Sequence, residues 1–280
     1  MIYNVIHLKD RFPILGEGGF DPTLEVYLQE KMVPMGWQGG KRPCMLLCPG
    51  GGYRFVSRRE AEPVALHFLP EGFQVFVLTY TVAPDHFPSQ LRQVAAALEL
   101  IHEHAEEWDC DVSRIALMGF SAGGHLAAHY ANRWDCPQVR QVFPESKPVA
   151  ASVLGYPVIT ADPAYCHRGS FEKLSGGTFT ATEEEIDFYS CNKMVSEQTP
   201  PTFLWHCTGD KTVPVQNSLL YAQALAEHGV PFQMQIYPKG KHGMSTCDIQ
   251  TTDKPLPEAE TTKDWLPALK KWLKQTLELG

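Results

Sequence analysis

Along the chain, apolar and polar positions follow two alternating periods. Runs rich in apolar, β-branched and aromatic residues predict strands over 45–48, 73–80, 114–119, 151–156, 202–207 and 232–237. Apolar residues at helical spacing predict helices over 89–107, 125–133, 215–228 and 262–277. Such alternation implies right-handed crossovers and a mostly parallel central sheet with helices on both faces, an α/β architecture. Two earlier extended segments, 2–7 and 23–29, are candidate antiparallel edge strands.

The rhythm breaks between about 160 and 201, with Gly176-Gly177, the acidic run Glu183-Glu184-Glu185, and Pro200-Pro201. This stretch reads as an insertion. Ligands of a parallel sheet bind beyond the carboxyl ends of its strands, so an insertion after the strand ending near Tyr156 forms either part of a cap over the site or a surface excursion without a role. Phe171, Phe179, Ile186 and Phe188 read as cap packing. At 280 residues and 44% apolar composition, the chain can bury a full core, so the expectation is one domain over 1–280 with a partial cap at about 160–201. No internal repeat or low-complexity segment divides it.

The formal charge of −8, from 24 basic and 32 acidic residues, argues against nucleic acid or an anionic membrane as a partner. Residues 1–7 lack a basic region followed by a long apolar stretch, and no later run is long enough to span a bilayer, so a cytoplasmic protein is expected. The eight cysteines show neither Cys-x-x-Cys pairs nor zinc-type spacing and read as buried reduced thiols; no metal or cofactor is expected.

The chemistry concentrates where Gly119-Phe120-Ser121-Ala122-Gly123 joins a predicted strand to a predicted helix. A Gly-x-Ser-x-Gly turn in that setting strains the serine backbone and projects its hydroxyl above the sheet edge. A serine hydroxyl is a poor nucleophile until a base takes its proton, and the base needs a third group to hold its tautomer. Asp210, after the run 203–207 and a Gly turn, and His242, between Gly240 and Gly243 beyond another strand, supply these in the order Ser, Asp, His. His125, His206 and Asp248 are the rivals; Asp248 would break that order. Pro49-Gly50-Gly51-Gly52-Tyr53 follows a strand, and the amides of Gly51, Gly52 and Ala122 are the candidate oxyanion donors, each worth about 3 kcal/mol of barrier.

With these residues the chain resembles α/β-hydrolases of the acetyl-esterase/lipase group, which includes hormone-sensitive-lipase-like and carbohydrate-esterase-like proteins. The similarity covers most of the chain: the glycine loop, Tyr80-Thr81-Val82-Ala83-Pro84, the elbow continued by Gly124-His125-Leu126, Pro200-Pro201-Thr202-Phe203, Gly209-Asp210, Val213-Pro214-Val215 and Gly240-Lys241-His242-Gly243. One departure is Pro49, where many members have His. Proline brings neither imidazole nor N–H, so the loop must be ordered from elsewhere. Arg58-Arg59-Glu60 resembles a segment of the carbohydrate-active branch, and a helix start accounts for it equally well.

The resemblance implies a serine esterase for short acyl groups, foremost acetyl esters of sugars, xylo-oligosaccharides or small alcohols, acting through an acyl-enzyme. Its activity should fall as His242 is protonated, near or somewhat below about pH 7 by the reference histidine value. Aryl-formamide hydrolases and small peptidases use the same triad and stay open as alternatives. A non-catalytic binding protein on this scaffold is a third reading, disfavoured because triad and glycine loop are all present. A long-chain lipase is disfavoured by the lack of an extended apolar lid.

Overall fold

The computed structural model describes residues 1–16, 19–30, 40–252, 257 and 259–279. Among these, eight strands form one sheet: β1 (Ile2–His7), β2 (Thr23–Leu28), β3 (Arg42–Cys48), β4 (Gln74–Thr79), β5 (Cys110–Phe120), β6 (Ala151–Gly155), β7 (Thr202–Cys207) and β8 (Phe232–Tyr237), in the order β1-β2-β4-β3-β5-β6-β7-β8. The β1–β2 and β2–β4 pairings are antiparallel and the others parallel. The two early segments thus form the antiparallel margin of the sheet, with β1 at its edge and β2 between β1 and β4, and the six strands β3 to β8 point their carboxyl ends to one side.

Alternation along the strands builds two cores. Met45, Leu47 and Val75 face the helices α1 (Glu62–Phe68) and α7 (Trp265–Thr276). Their neighbours Leu46, Cys48 and Phe76 face α2 (Ser89–Glu103), α3 (Ser121–Arg133) and α6 (Gln216–Glu227). Burial on both faces explains why these strands read as continuous apolar runs, each buried side chain contributing about 2 kcal/mol.

Several boundaries differ from the sequence expectation. The helix expected to begin at His125 begins at Ser121, because the elbow turns straight into it. The helix expected over 262–277 is interrupted: Pro267 has no N–H to give Lys263, and its ring clashes with that carbonyl, so α7 starts afresh at Trp265. Within 160–201 lie α4 (Arg168–Leu174) and α5 (Glu183–Tyr189). Phe171 (0% exposed) and Phe179 (3%) join the core of the α2–α3 face, whereas Phe188 stays 43% exposed with its ring against Phe87. The eight cysteines are free, and no described helix is long and apolar enough to cross a membrane.

Candidate active site

Parallel strands deliver their carboxyl ends to one edge, and the chain places a polar group after each of five neighbours there. The glycine loop follows β3, Ser121 follows β5, Tyr156 follows β6, Asp210 lies beyond β7, and His242 lies beyond β8. Clustering of these distant residues is therefore a consequence of topology.

Ser121 sits at the β5–α3 junction with φ of +52°, left-handed backbone that costs a non-glycine residue on the order of 1–3 kcal/mol. The turn closes because its flanks have no side chains: a Cβ on Gly123 would stand 2.0 Å from the Cys48 carbonyl oxygen. Nothing larger than glycine lets α3 come this close to the end of β3.

The Ser121 hydroxyl lies 2.8 Å from His242 Nε2, and His242 Nδ1 lies 2.6 Å from an Asp210 carboxylate oxygen. The carboxylate can only accept, so Nδ1 carries the proton and Nε2 is free to accept from the serine. Asp210 is tightly determined. Its other oxygen accepts the amides of Thr212 (2.8 Å) and Val213 (2.9 Å), while His206 Nε2–H, shared with the Val213 carbonyl, approaches the oxygen bonded to His242 at 3.3 Å. Burial works to raise its pKa, but the hydrogen bonds from His206, His242 and Val213 prevail and hold the carboxyl well below its ordinary value.

The rival groups are engaged elsewhere. His125 Nε2–H donates to the Tyr189 carbonyl at 2.8 Å and Nδ1 accepts the Tyr53 hydroxyl at 2.9 Å; burial pushes its pKa down to about 4. Asp248 faces His67 at 2.9 Å. His206 is turned toward Asp210 and not toward Ser121, with Nδ1 accepting from the Ser218 hydroxyl at 2.8 Å.

In the glycine loop, Gly51 (φ +128°) has a conformation essentially restricted to glycine, and a Cβ there would lie 1.9 Å from the Phe55 carbonyl oxygen. Among the described residues, the amides of Gly51 and Gly52 donate to no protein group. Ala122 lies in the first turn of α3, where an amide has no intrahelical acceptor. The order that Pro49 cannot supply comes from three contacts: the Tyr80 hydroxyl on the Pro49 carbonyl (2.6 Å), the Glu60 carboxylate on the Gly50 amide (2.7 Å), and the Ser57 amide on the Gly50 carbonyl (2.9 Å).

Ser121, His242, Gly51 and Gly52 open onto a cavity of about 970 Å³ whose wall includes Arg54, Phe55, Arg59 and Glu60 from one side and His167 and Lys173 from the insertion. The insertion therefore contributes to the cavity wall through α4 and its first flanking residue. Burial, followed by the nearby charge of a protonated His242, lowers the His167 pKa, and its Nδ1 pairs with the Ser170 hydroxyl at 2.8 Å. Sequence reasoning missed Tyr156 and His167, weighed His206 only as a rival base, and left Glu60 without a role. For Tyr156 a signal existed, since residues just past a parallel strand face the site.

A model of the BD-FAE family matches residues 32–225. The chain is 36% identical to endo-1,4-beta-xylanase B of Butyrivibrio fibrisolvens over 82% of this chain and 36% of that protein. It is 30% identical to an acetylxylan esterase of Xylanibacter ruminicola over 70% of this chain and 39% of that protein. The chain thus spans little more than a third of the length of these two curated relatives. Among solved structures, the acetyl ester-xyloside bifunctional hydrolase of Caldicellulosiruptor lactoaceticus aligns with TM-score 0.83 and 34% identity, over 99% of this chain and 97% of that one. The chain belongs to the BD-FAE family and has the α/β-hydrolase fold.

Proposed function

We propose that this chain is a serine carboxylesterase that removes short acyl groups, foremost acetyl, from carbohydrate alcohols such as xylo-oligosaccharides. The observation that carries the reading is the hydrogen-bonded relay from Ser121 through His242 to Asp210, opening onto the cavity beside the Gly51 and Gly52 amides, which have no acceptor among the described residues. Ser121 attacks the ester carbonyl while His242 Nε2 takes its proton, and Asp210 stabilises the imidazolium through Nδ1–H. The amides of Gly51, Gly52 and Ala122 receive the negative charge that develops on the carbonyl oxygen. His242 returns the proton to the departing alcohol, and water then repeats the sequence on the acyl-enzyme.

Two features support the substrate class. A cavity of about 970 Å³ is at the upper end of small-molecule sites and far exceeds an acetyl group, so its space serves the alcohol half. Its wall is rich in Arg, Lys and Glu, which suits hydroxylated rings rather than a long acyl chain. The relatives named for acetylxylan and acetyl ester-xyloside hydrolysis point the same way. The test compares acetate release from acetylated xylo-oligosaccharides with cleavage of an acetylated small alcohol, a formanilide and an N-acyl peptide. Fastest turnover of the acetylated oligosaccharide is expected; preference for the formanilide or peptide would replace the esterase reading.

A further inference from the structure

Glu60 is buried at 3% exposure, yet it is one of the residues that line the cavity. One oxygen accepts the Gly50 amide at 2.7 Å, and the other accepts the Tyr156 hydroxyl at 2.6 Å. The Tyr156 oxygen in turn accepts the Ser245 amide at 3.0 Å. Directions follow from the outer groups: both amides can only donate, so the phenol accepts from Ser245 and sends its own proton to Glu60. Burial, with the Glu60 charge behind it, raises the Tyr156 pKa and keeps the phenol protonated.

The two ends of this chain of bonds lie beside the amides and the imidazole that the proposed chemistry uses. Gly50 begins the loop whose next two amides are the oxyanion donors. Ser245 lies three residues beyond His242, and the Tyr156 ring stands edge-on to the imidazole with centroids 5.1 Å apart. The segment bearing Glu60 holds the histidine loop at two further points: the Ser245 hydroxyl donates to the Arg59 carbonyl at 2.7 Å, and the Arg59 guanidinium donates to the Gly243 carbonyl at 3.0 Å. Tyr156 carries φ of +35°, strain placed where the bonds converge.

We propose that Glu60 is a positioning residue which, through the Gly50 amide and the Tyr156 hydroxyl, sets the oxyanion amides and His242 in register with Ser121 as one unit. The inference rests on the serine-esterase reading above. It assigns a role to the Arg-Arg-Glu segment: Glu60 takes over the ordering that Pro49 cannot give.

Glu60→Gln keeps the shape but brings an NH₂ to a place where two donors arrive, so one link is lost. Tyr156→Phe breaks only the link to the histidine loop. On p-nitrophenyl acetate, kcat should fall roughly 100-fold for Glu60→Gln and roughly 10-fold for Tyr156→Phe, since small misplacements of catalytic groups cost that much. KM and Tm should stay close to the wild type. The double variant should lose less than the product of the two single losses, because both changes act on one connected set of bonds. Unchanged kcat, a rise in KM alone, multiplying losses, or a loss explained by the unfolded fraction would overturn the proposal. If the wild type hydrolyses no ester, the esterase reading falls instead. The strut is then judged by the rate at which a fluorophosphonate labels Ser121: slower labelling in the same order supports it, and equal rates overturn it. A wild type that does not label removes both.

Discussion

Asp210 shows how far a single residue can be read from sequence. Its place after a strand and a glycine turn was legible, as were Ser121 and His242, because strand-turn-residue patterns locate the carboxyl edge of a parallel sheet. The donors that fix its charge were not legible. His206 comes from the same strand, and the amides of Thr212 and Val213 turn inward only once the following loop is folded. With its pKa held below the ordinary value, Asp210 is ionised throughout the neutral range. The sign for stability follows: a depressed carboxyl pKa contributes stability present in full above the unfolded value of about 3.9 and lost only as pH falls through the folded one. Asp210→Asn should lower kcat by about 10⁴-fold, since the amide no longer enforces the Nδ1–H tautomer. Its Tm deficit against the wild type should shrink on acidification below about pH 4. A deficit that grows there would contradict the assignment of Asp210 as a stabilised anion.

At the scale of elements, long apolar runs and long amphipathic helices were legible, and segments of seven residues were not. The helices α1, α4 and α5 are shorter than the window in which helical periodicity declares itself. A local signal for α5 was present and passed over: Thr182 and Glu185 form a capping box, so the acidic run starts a helix rather than marking a loop. The glycine loop was legible as an element, but its anchors were not, because Tyr80 reaches it from the end of β4 and Ser57 and Glu60 fold back onto it from the segment that follows. Its shape tolerates little change. Gly51→Ala puts a methyl group against the Phe55 carbonyl, backbone that can yield only if the loop moves. Loss of roughly 100-fold in kcat is expected, in keeping with misplacing one oxyanion donor, with the core intact by Tm. Wild-type kcat in Gly51→Ala would mean that this amide does not serve the reaction.

For the whole molecule, the sheet with helices on both faces followed from strand–helix alternation, whereas the seat of the 160–201 insertion depended on contacts no periodicity encodes. His125 carries much of that seat, joining α3 to Tyr53 on one side and the Tyr189 carbonyl on the other. Burial pushes its pKa down to about 4, and that of its neighbour His129 to about 3. A folded value below the unfolded 6.5 or so means that stability is complete above that pH and declines as pH falls toward the folded value, by about 1.4 kcal/mol per pH unit for each such histidine. Thermal unfolding followed from pH 7 to 4 should show this decline, with a shallower slope in His125→Gln than in the wild type. Parallel slopes would assign the acid sensitivity to other groups.

The most direct test of the account is acid-quench mass spectrometry during turnover of p-nitrophenyl acetate, comparing wild type with Ser121→Ala. An acetyl group on the Ser121 peptide of the wild type, together with loss of turnover by several orders of magnitude in Ser121→Ala, is the expected result. Turnover that persists at the wild-type rate in Ser121→Ala, or an acetyl group trapped on another residue, would contradict it.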